Sequence, residues 1–168
     1  YVNHALRAFH VSSTLKLMLG QVRMREKSNE NSTFKYLFEQ LLEHYSRTNL
    51  LEVFSMDAGF TGANNAALIV QNGYKYIFAL KAPEIHPIAA SAMKLLGSKA
   101  SPARIEVEQY NGKGVVRKLY RCAAPDVNGW SHAKEFWRIE KTTTSSRGKL
   151  ETENHYYVTN IASFLEDS

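Results

Sequence analysis

Leu50-Leu51-Glu52-Val53-Phe54-Ser55-Met56-Asp57-Ala58-Gly59 is the stretch on which the reading of this chain turns. An apolar run of strand length, interrupted only by Glu52 and Ser55, ends in a carboxylate followed by residues small enough to turn the backbone sharply. The pattern predicts a core strand that delivers Asp57. Carboxyl ends of strands in open α/β sheets gather ligands and metals, because the strand fixes the side chain and the loop beyond leaves it reachable. The same residues allow a plainer role, in which Asp57 caps the helix that follows or closes an Asx-turn.

Upstream, His4 to Ser12 and Leu15 to Met24 read as two strands separated by Ser13 and Thr14, most simply an antiparallel hairpin. Arg23 to Asn31 is polar and reads as a loop. Phe34, Leu37, Phe38, Leu41, Leu42 and Tyr45 then recur at helical spacing and form one broad apolar face. Asn31 or Ser32 would cap this helix, Ser46 to Asn49 would end it, and its apolar face is expected to lie on the sheet. Downstream, Ala63 to Gln71 reads as a short helix of small residues ended by Asn72-Gly73, and Tyr74 to Leu80 as a second buried strand ending in Lys81. Strand, helix and strand predict a right-handed crossover between parallel neighbours. Ala82-Pro83 breaks the chain, and Ile88, Ala89, Ala92, Met93, Leu95 and Leu96 make a further helical stripe closed by Gly97.

From Ser98 the pattern changes to period two. Arg104 to Gln109 and Val115 to Cys122 alternate around Tyr110-Asn111-Gly112-Lys113-Gly114, a hairpin signal. Phe136 to Thr143 and His155 to Asn160 read as two more strands, joined by a polar, mobile connection over Thr144 to Asn154. Ala162 to Ser168 starts a helix and stops.

Composition bounds the answer. The chain has 168 residues, 44% of them hydrophobic and 22% charged, which suits one soluble domain with a core or a core plus an appendage. A formal net charge of +5 favours approach to a polyanion without demanding one. The single cysteine, Cys122, excludes an internal disulfide and any thiolate cluster and fits a reducing cytoplasmic setting. No apolar stretch approaches membrane-spanning length, and no signal peptide is evident. A start at Tyr1 rather than methionine suggests a piece of something longer. The six histidines show no paired metal-ligand spacing, Cys122 has no evident base partner, and Trp130 and Trp137 are expected to pack rather than stack on bases.

Several short runs occur in a telling order: His4 to Phe9, Leu19-Gly20-Gln21-Val22, Glu26-Lys27-Ser28-Asn29-Glu30, Ser55-Met56-Asp57-Ala58, Gly73-Tyr74-Lys75-Tyr76, Ala79-Leu80-Lys81 and Tyr156-Tyr157-Val158-Thr159-Asn160. In that order and spacing the chain resembles bacterial insertion-sequence transposases of the DDE class, the type that includes the H-repeat-associated proteins. The resemblance covers nearly the whole chain and is closest over residues 4–81.

It implies an α/β fold: an RNase H-like core with mixed sheet and flanking helices over residues 1–98, a β-rich insertion over 99–162, and the start of a truncated helix at 163–168. It implies metal-dependent phosphodiester cleavage and strand transfer during transposition, with Mg2+ or Mn2+ held by acidic residues. Asp57 falls on the family's second acidic position and is the expected catalytic and metal-binding residue. The first acid belongs to an Asp-Gly-Lys segment upstream of the first strand, and the third to a His-Trp-x-x-Glu-Asn helix after the Tyr-Tyr strand; this sequence contains neither. A fragment carrying one acid of three is expected to bind the ion weakly and to be inactive alone.

Lys27 and Asn29 in the polar loop, Lys81 beside Asp57, and Arg117 and Lys118 in the basic hairpin are the candidate DNA contacts, each with the plainer alternative of a solvated surface residue. The partners implied are the DNA of the element ends and target, with a homo-oligomer allowed and no membrane. Leu80-Lys81-Ala82-Pro83-Glu84 and Lys113 to Arg117 depart from the family pattern. The rival reading is therefore a non-catalytic DNA-binding or protein-interaction module derived from a decayed transposase.

Overall fold

The computed structural model describes residues 5–11, 16–24, 30–97, 101–110, 113–127, 129–145 and 148–162. Among the described residues the architecture is mixed α/β, with three α-helices and a mixed sheet. Two compact units divide the chain, Tyr1–Tyr76 and Ile77–Ser168, with the boundary inside the fourth strand.

The first unit opens with strands β1 (Ala5–Val11) and β2 (Lys16–Arg23), paired antiparallel from Ala5↔Arg23 to Val11↔Lys16 with a register shift between Ala8 and Phe9. The expected turn at Ser13 and Thr14 lies outside the described residues. Helix α1 (Glu30–Tyr45) follows and buries Phe34, Leu37, Phe38 and Leu41, the residues that the helical spacing selects. Its start is earlier than the polar residues suggest. Asn31 and Ser32, the expected caps, already lie within the helix. Gly20 lets β2 come close to α1: a Cβ there would meet Leu37 Cδ1 and Gln40 Oε1 at 3.4 Å. The Tyr45 hydroxyl fastens the same pair of elements by donating to the Leu19 carbonyl at 3.2 Å.

Strand β3 (Val53–Met56), a single 3₁₀ turn (Ala58–Phe60), helix α2 (Ala63–Gln71) and the start of β4 (Lys75–Leu80) complete this unit. β3 and β4 are neighbours, and the Lys75 N–H donates to the Glu52 carbonyl at 3.1 Å beside them. Gly73 ends α2 with φ +83°, the left-handed conformation that its Asn-Gly sequence predicts. The unit's core is aromatic. Phe38 is fully buried, with ring centroids 5.5 Å from Phe34, 5.1 Å from Phe54 and 6.4 Å from Tyr74. Phe54 and Tyr74 are in turn 5.6 Å apart, and the larger interplanar angles place edges against faces, the arrangement ring quadrupoles favour.

Two expectations for this region are corrected. The strand is four residues long, not the whole apolar run from Leu50, and it is not a buried core strand: Val53 and Ser55 are exposed while Phe54 and Met56 are half-buried. A continuous apolar run implies two covered faces, but the face carrying Val53 and Ser55 is exposed, Val53 by 40%.

In the second unit, the rest of β4 is followed by α3 (Ile88–Leu95), β5 (Arg104–Tyr110), β6 (Lys113–Ala123), β7 (Glu135–Thr144) and β8 (Leu150–Thr159), with strand order β4-β8-β7-β6-β5 and every pairing antiparallel. Phe78, Phe136 and Val158 are fully buried, and α3 adds Ile88, Ala89 and Ala92 against β8. Leu95, expected in the stripe, is 48% exposed; Leu96 turns inward instead.

The mobile connection expected over Thr144 to Asn154 is mostly strand. β7 and β8 stay paired out to Thr144↔Leu150, where Ser145 and Lys149 exchange a backbone bond and Gly148 adopts φ +76°. The polar sequence misleads because this ladder is held by cross-strand polar pairs, Thr142 with Thr152 at 3.1 Å and Lys141 with Glu153 at 3.9 Å, rather than by apolar alternation. The helix expected from Ala162 onward falls almost wholly outside the described residues.

Phe38→Ala should cost the first unit about 3–5 kcal/mol, the range for emptying a buried aromatic site. Denaturant unfolding followed by near-ultraviolet signals of the aromatic cluster measures it, and a loss below about 1 kcal/mol would mean that the ring is not the centre of that core.

Candidate functional site

Asp57 stands at the carboxyl end of β3 and is exposed. Its backbone is still extended, φ −68° and ψ 163°, and its Oδ1 accepts the Ala58 N–H at 2.7 Å, so the carboxylate caps the 3₁₀ turn beyond it. The turn is closed by the Phe60 N–H donating to the Asp57 carbonyl at 3.0 Å. Its far end is held from two sides: the Phe60 ring lies 6.3 Å from Phe34, and Asn65 Nδ2, on the buried first turn of α2, donates to the Phe60 carbonyl at 3.0 Å. The plainer role weighed from the sequence is thus realised, and it also holds one carboxylate oxygen in a fixed direction.

Asp57 lines a cleft of about 630 Å³ within the first unit. One wall is residues 7–11 of β1, the other residues 49–57 leading into and along β3, and Phe34, Leu37 and Leu41 of α1 lie beneath. Charges in the lining are balanced, Arg7 and Lys16 on the hairpin side against Glu52 and Asp57 on the other.

Of the other residues singled out from the sequence, Lys81, Arg117 and Lys118 belong to the second unit. Lys27 and Asn29 lie outside the described residues. Lys81 is exposed in the second unit, after β4, with its N–H donating to His86 Nδ1 at 2.8 Å. Arg117 and Lys118 are consecutive on β6, so their side chains take opposite faces of the sheet. Each already has an acid: Arg117 Nη1 donates to Glu108 at 2.7 Å and Lys118 Nζ to Glu140 at 3.1 Å. The Glu140 hydrogen bond raises the Lys118 ammonium above its ordinary range, keeping it charged but engaged. Arg117 and Lys118 are therefore two separately paired cations on opposite faces rather than one cationic surface.

Magnesium or manganese needs several oxygens in near-octahedral array. Among the described residues no three His, Cys, Asp or Glu side chains come together to hold a metal, and Asp57 alone supplies too few donors. These residues do not fit the ion that the transposase resemblance implies. Burial pushes the Cys122 thiol above its usual range against a weaker opposing hydrogen bond from the Phe136 backbone, which disfavours the thiolate.

The cleft itself has no sequence signature. Its walls come from strands more than forty residues apart. Buried polar groups of the second unit were also missed. Arg138 is buried with its guanidinium 3.9 Å above the Tyr120 ring and Nη1 donating to the Gly97 carbonyl at 3.0 Å, and Glu135 accepts from Trp137 Nε1 at 2.7 Å. A charged residue inside an alternating strand pattern reads as an outward-facing one, so the sequence carries no signal for these.

Comparison of the chain with protein-family models, curated proteins and solved structures finds no match.

His86 gives a test of the loop that carries Lys81. Burial first, and the nearby Lys81 charge second, lower its imidazole below 6.5. The neutral ring is the acceptor for the Lys81 N–H, so this contribution to stability is fully present above pH 6.5 and is lost as pH falls through the lowered value. The Lys81 amide resonance should titrate with a midpoint below 6.5, and His86→Ala should abolish the transition. A midpoint at or above that value would show that the hydrogen bond does not hold the ring neutral.

Proposed function

We propose that this chain is part of a DDE-class DNA transposase, an RNase H-like core in which Asp57 is one of the carboxylates of a Mg2+- or Mn2+-dependent phosphodiester site. The observation that carries the reading is the station of Asp57: exposed at the carboxyl end of β3, at a cleft, with a strand-helix-strand connection behind it. The preceding hairpin and packed helix, and the β-rich second unit, agree with the same architecture in element order. The described residues supply one donor, so cleavage chemistry belongs to a fuller site in a longer chain that adds the Asp-Gly-Lys and His-Trp-x-x-Glu-Asn acids. DNA is the substrate class, and bacterial cytoplasm the setting. The rival, a non-catalytic binding module from a decayed transposase, is favoured by one observation: the Asp57 carboxylate already serves as a cap, a role that needs no metal.

The deciding experiment is cleavage of DNA carrying element ends with magnesium or manganese. This chain should be silent, a chain extended through both acidic segments should cut, and Asp57→Asn in the extended chain should reduce cutting to background. Asparagine caps about as well as aspartate, so that variant should keep its stability, whereas Asp57→Ala should lose about 0.5–2 kcal/mol. Cutting by the extended Asp57→Asn chain would refute the assignment, and silence of every chain would favour the binding module.

DNA affinity provides a further check. If the backbone is contacted by Lys81, Lys81→Ala should weaken binding and flatten the slope of log affinity against log salt by about 0.9 for duplex DNA. Arg117→Ala should change affinity less than about twofold, since Glu108 already engages that guanidinium. A larger effect from Arg117 than from Lys81 would reverse these roles.

A further inference from the structure

Strand alternation divides the β5–β8 sheet into two faces of different character. One carries ion pairs along its length: Arg117 with Glu108 at 2.7 Å, Arg104 with Glu106 at 2.8 Å, Lys141 with Glu153 at 3.9 Å. The other face begins as core. Phe78 is paired with Val158 and Val158 with Phe136, and all three are fully buried. Two residues on from Phe136, Arg138 donates to the Gly97 carbonyl just beyond α3, which places the end of that helix on the same face.

Past Arg138 the cover ends. The face next holds one ion pair, Lys118 with Glu140 at 3.1 Å, and beyond it no charge among the described residues. Val107, Val116, Thr142 and Thr152 stand in one row across the four strands, flanked on the same face by Ile105 and Leu150. Ile105, Val107 and Leu150 are 56%, 68% and 65% exposed. The Thr142 and Thr152 hydroxyls bond each other at 3.1 Å, which lessens their demand for water. A lone exposed valine needs no explanation, but a row of aliphatic and threonine side chains across a whole sheet face is a surface built to be covered.

Charge selects the occupant. A two-fold pair lays one patch on itself, so any unpaired charge near the axis meets its own kind. This patch has none among the described residues: its lysine and glutamate hold each other at the side nearer Arg138. To a polyanion the same patch offers a single lysine, already engaged, and an extended peptide would add to a sheet edge rather than to a face. The patch is four strands wide and about five residues long, roughly 19 by 17 Å, so two copies would together bury on the order of 1,000 Å2, the low end for a specific contact.

We propose that this end of the β5–β8 sheet is a self-association surface, on which a second copy of the chain lays the same face, sheet on sheet at about 10 Å. The inference is independent of Asp57 and of any metal. It concerns the second unit alone, and its small area makes the association weak and reversible.

The test is sedimentation equilibrium of the whole chain from about 10 μM to about 1 mM, a range suited to a weak dimer, with methyl resonances followed over the same range. A monomer–dimer equilibrium is expected, in which the methyls of Ile105, Val107 and Val116 shift with concentration while those of Ile139, on the opposite face, do not. Val107→Lys and Val107→Glu, at an exposed position, should each weaken association about tenfold or more, and an equal mixture of the two should restore it, because opposite charges then meet. A variant that merely misfolded would not be rescued by mixing. A monomer at every concentration, association that both variants leave intact, a mixture no stronger than its parts, or shifts at Ile139 instead would each overturn the proposal. Shifts at Ile105 and Val107 on adding duplex DNA to the dilute monomer would assign the face to a polyanion, and their burial in an extended chain that stays monomeric would assign it to another segment of that chain; both also overturn it.

Discussion

The packing of Phe38 against Phe54 and Tyr74 is the contact on which the first unit depends. β3 is four residues long and half-exposed, too short to hold its place by backbone pairing alone. With Phe54 drawn inward against α1, strand alternation sends Ser55 outward, and the backbone then reaches Asp57 in a fixed register. The next ring, Phe60, is caught by Phe34 of the same helix, so the turn that Asp57 caps is anchored at both ends to α1. One helix face thereby sets the direction of the carboxylate. It also floors the cleft beside it.

Much of this was legible in the sequence. The spacing of Phe34, Leu37, Phe38 and Leu41 selects the buried face of α1 directly, because helical period leaves little choice of which residues turn inward. Asn72-Gly73 marks the end of α2, and the alternation in residues 104–122 marks the β5–β6 pair. What the sequence could not specify depends on partners distant in the chain. The apolar stretch around Val53 reads as doubly covered, yet coverage is decided by what packs on each face and not by the strand itself. The far half of β8 reads as loop since Glu151 and Glu153 gain their support from Lys149 and Lys141 across or beside the strand.

The candidate site divides in the same way. Asp57 was found because a local pattern, strand then acid then small residues, has a local structural meaning. Its two readings differ in tertiary surroundings, and local pattern cannot separate them: the carboxylate is a cap by its contact with Ala58 and open to a ligand by its exposure. The basic residues show the opposite failure. Arg117 and Lys118 add to the same charge in sequence, but pleating puts them on opposite faces and cross-strand acids neutralise each, so a sum over the hairpin overstates its field.

Asp57 is proposed as one donor in a metal site shared with two further acids, its direction set by the aromatic core. Anomalous diffraction at the manganese edge, from crystals of the extended chain soaked in Mn2+, addresses that most directly. A peak within about 2.2 Å of an Asp57 carboxylate oxygen, shared with the two additional acids, is the expected result. Manganese bound to those acids while Asp57 points only at the Ala58 N–H would contradict it.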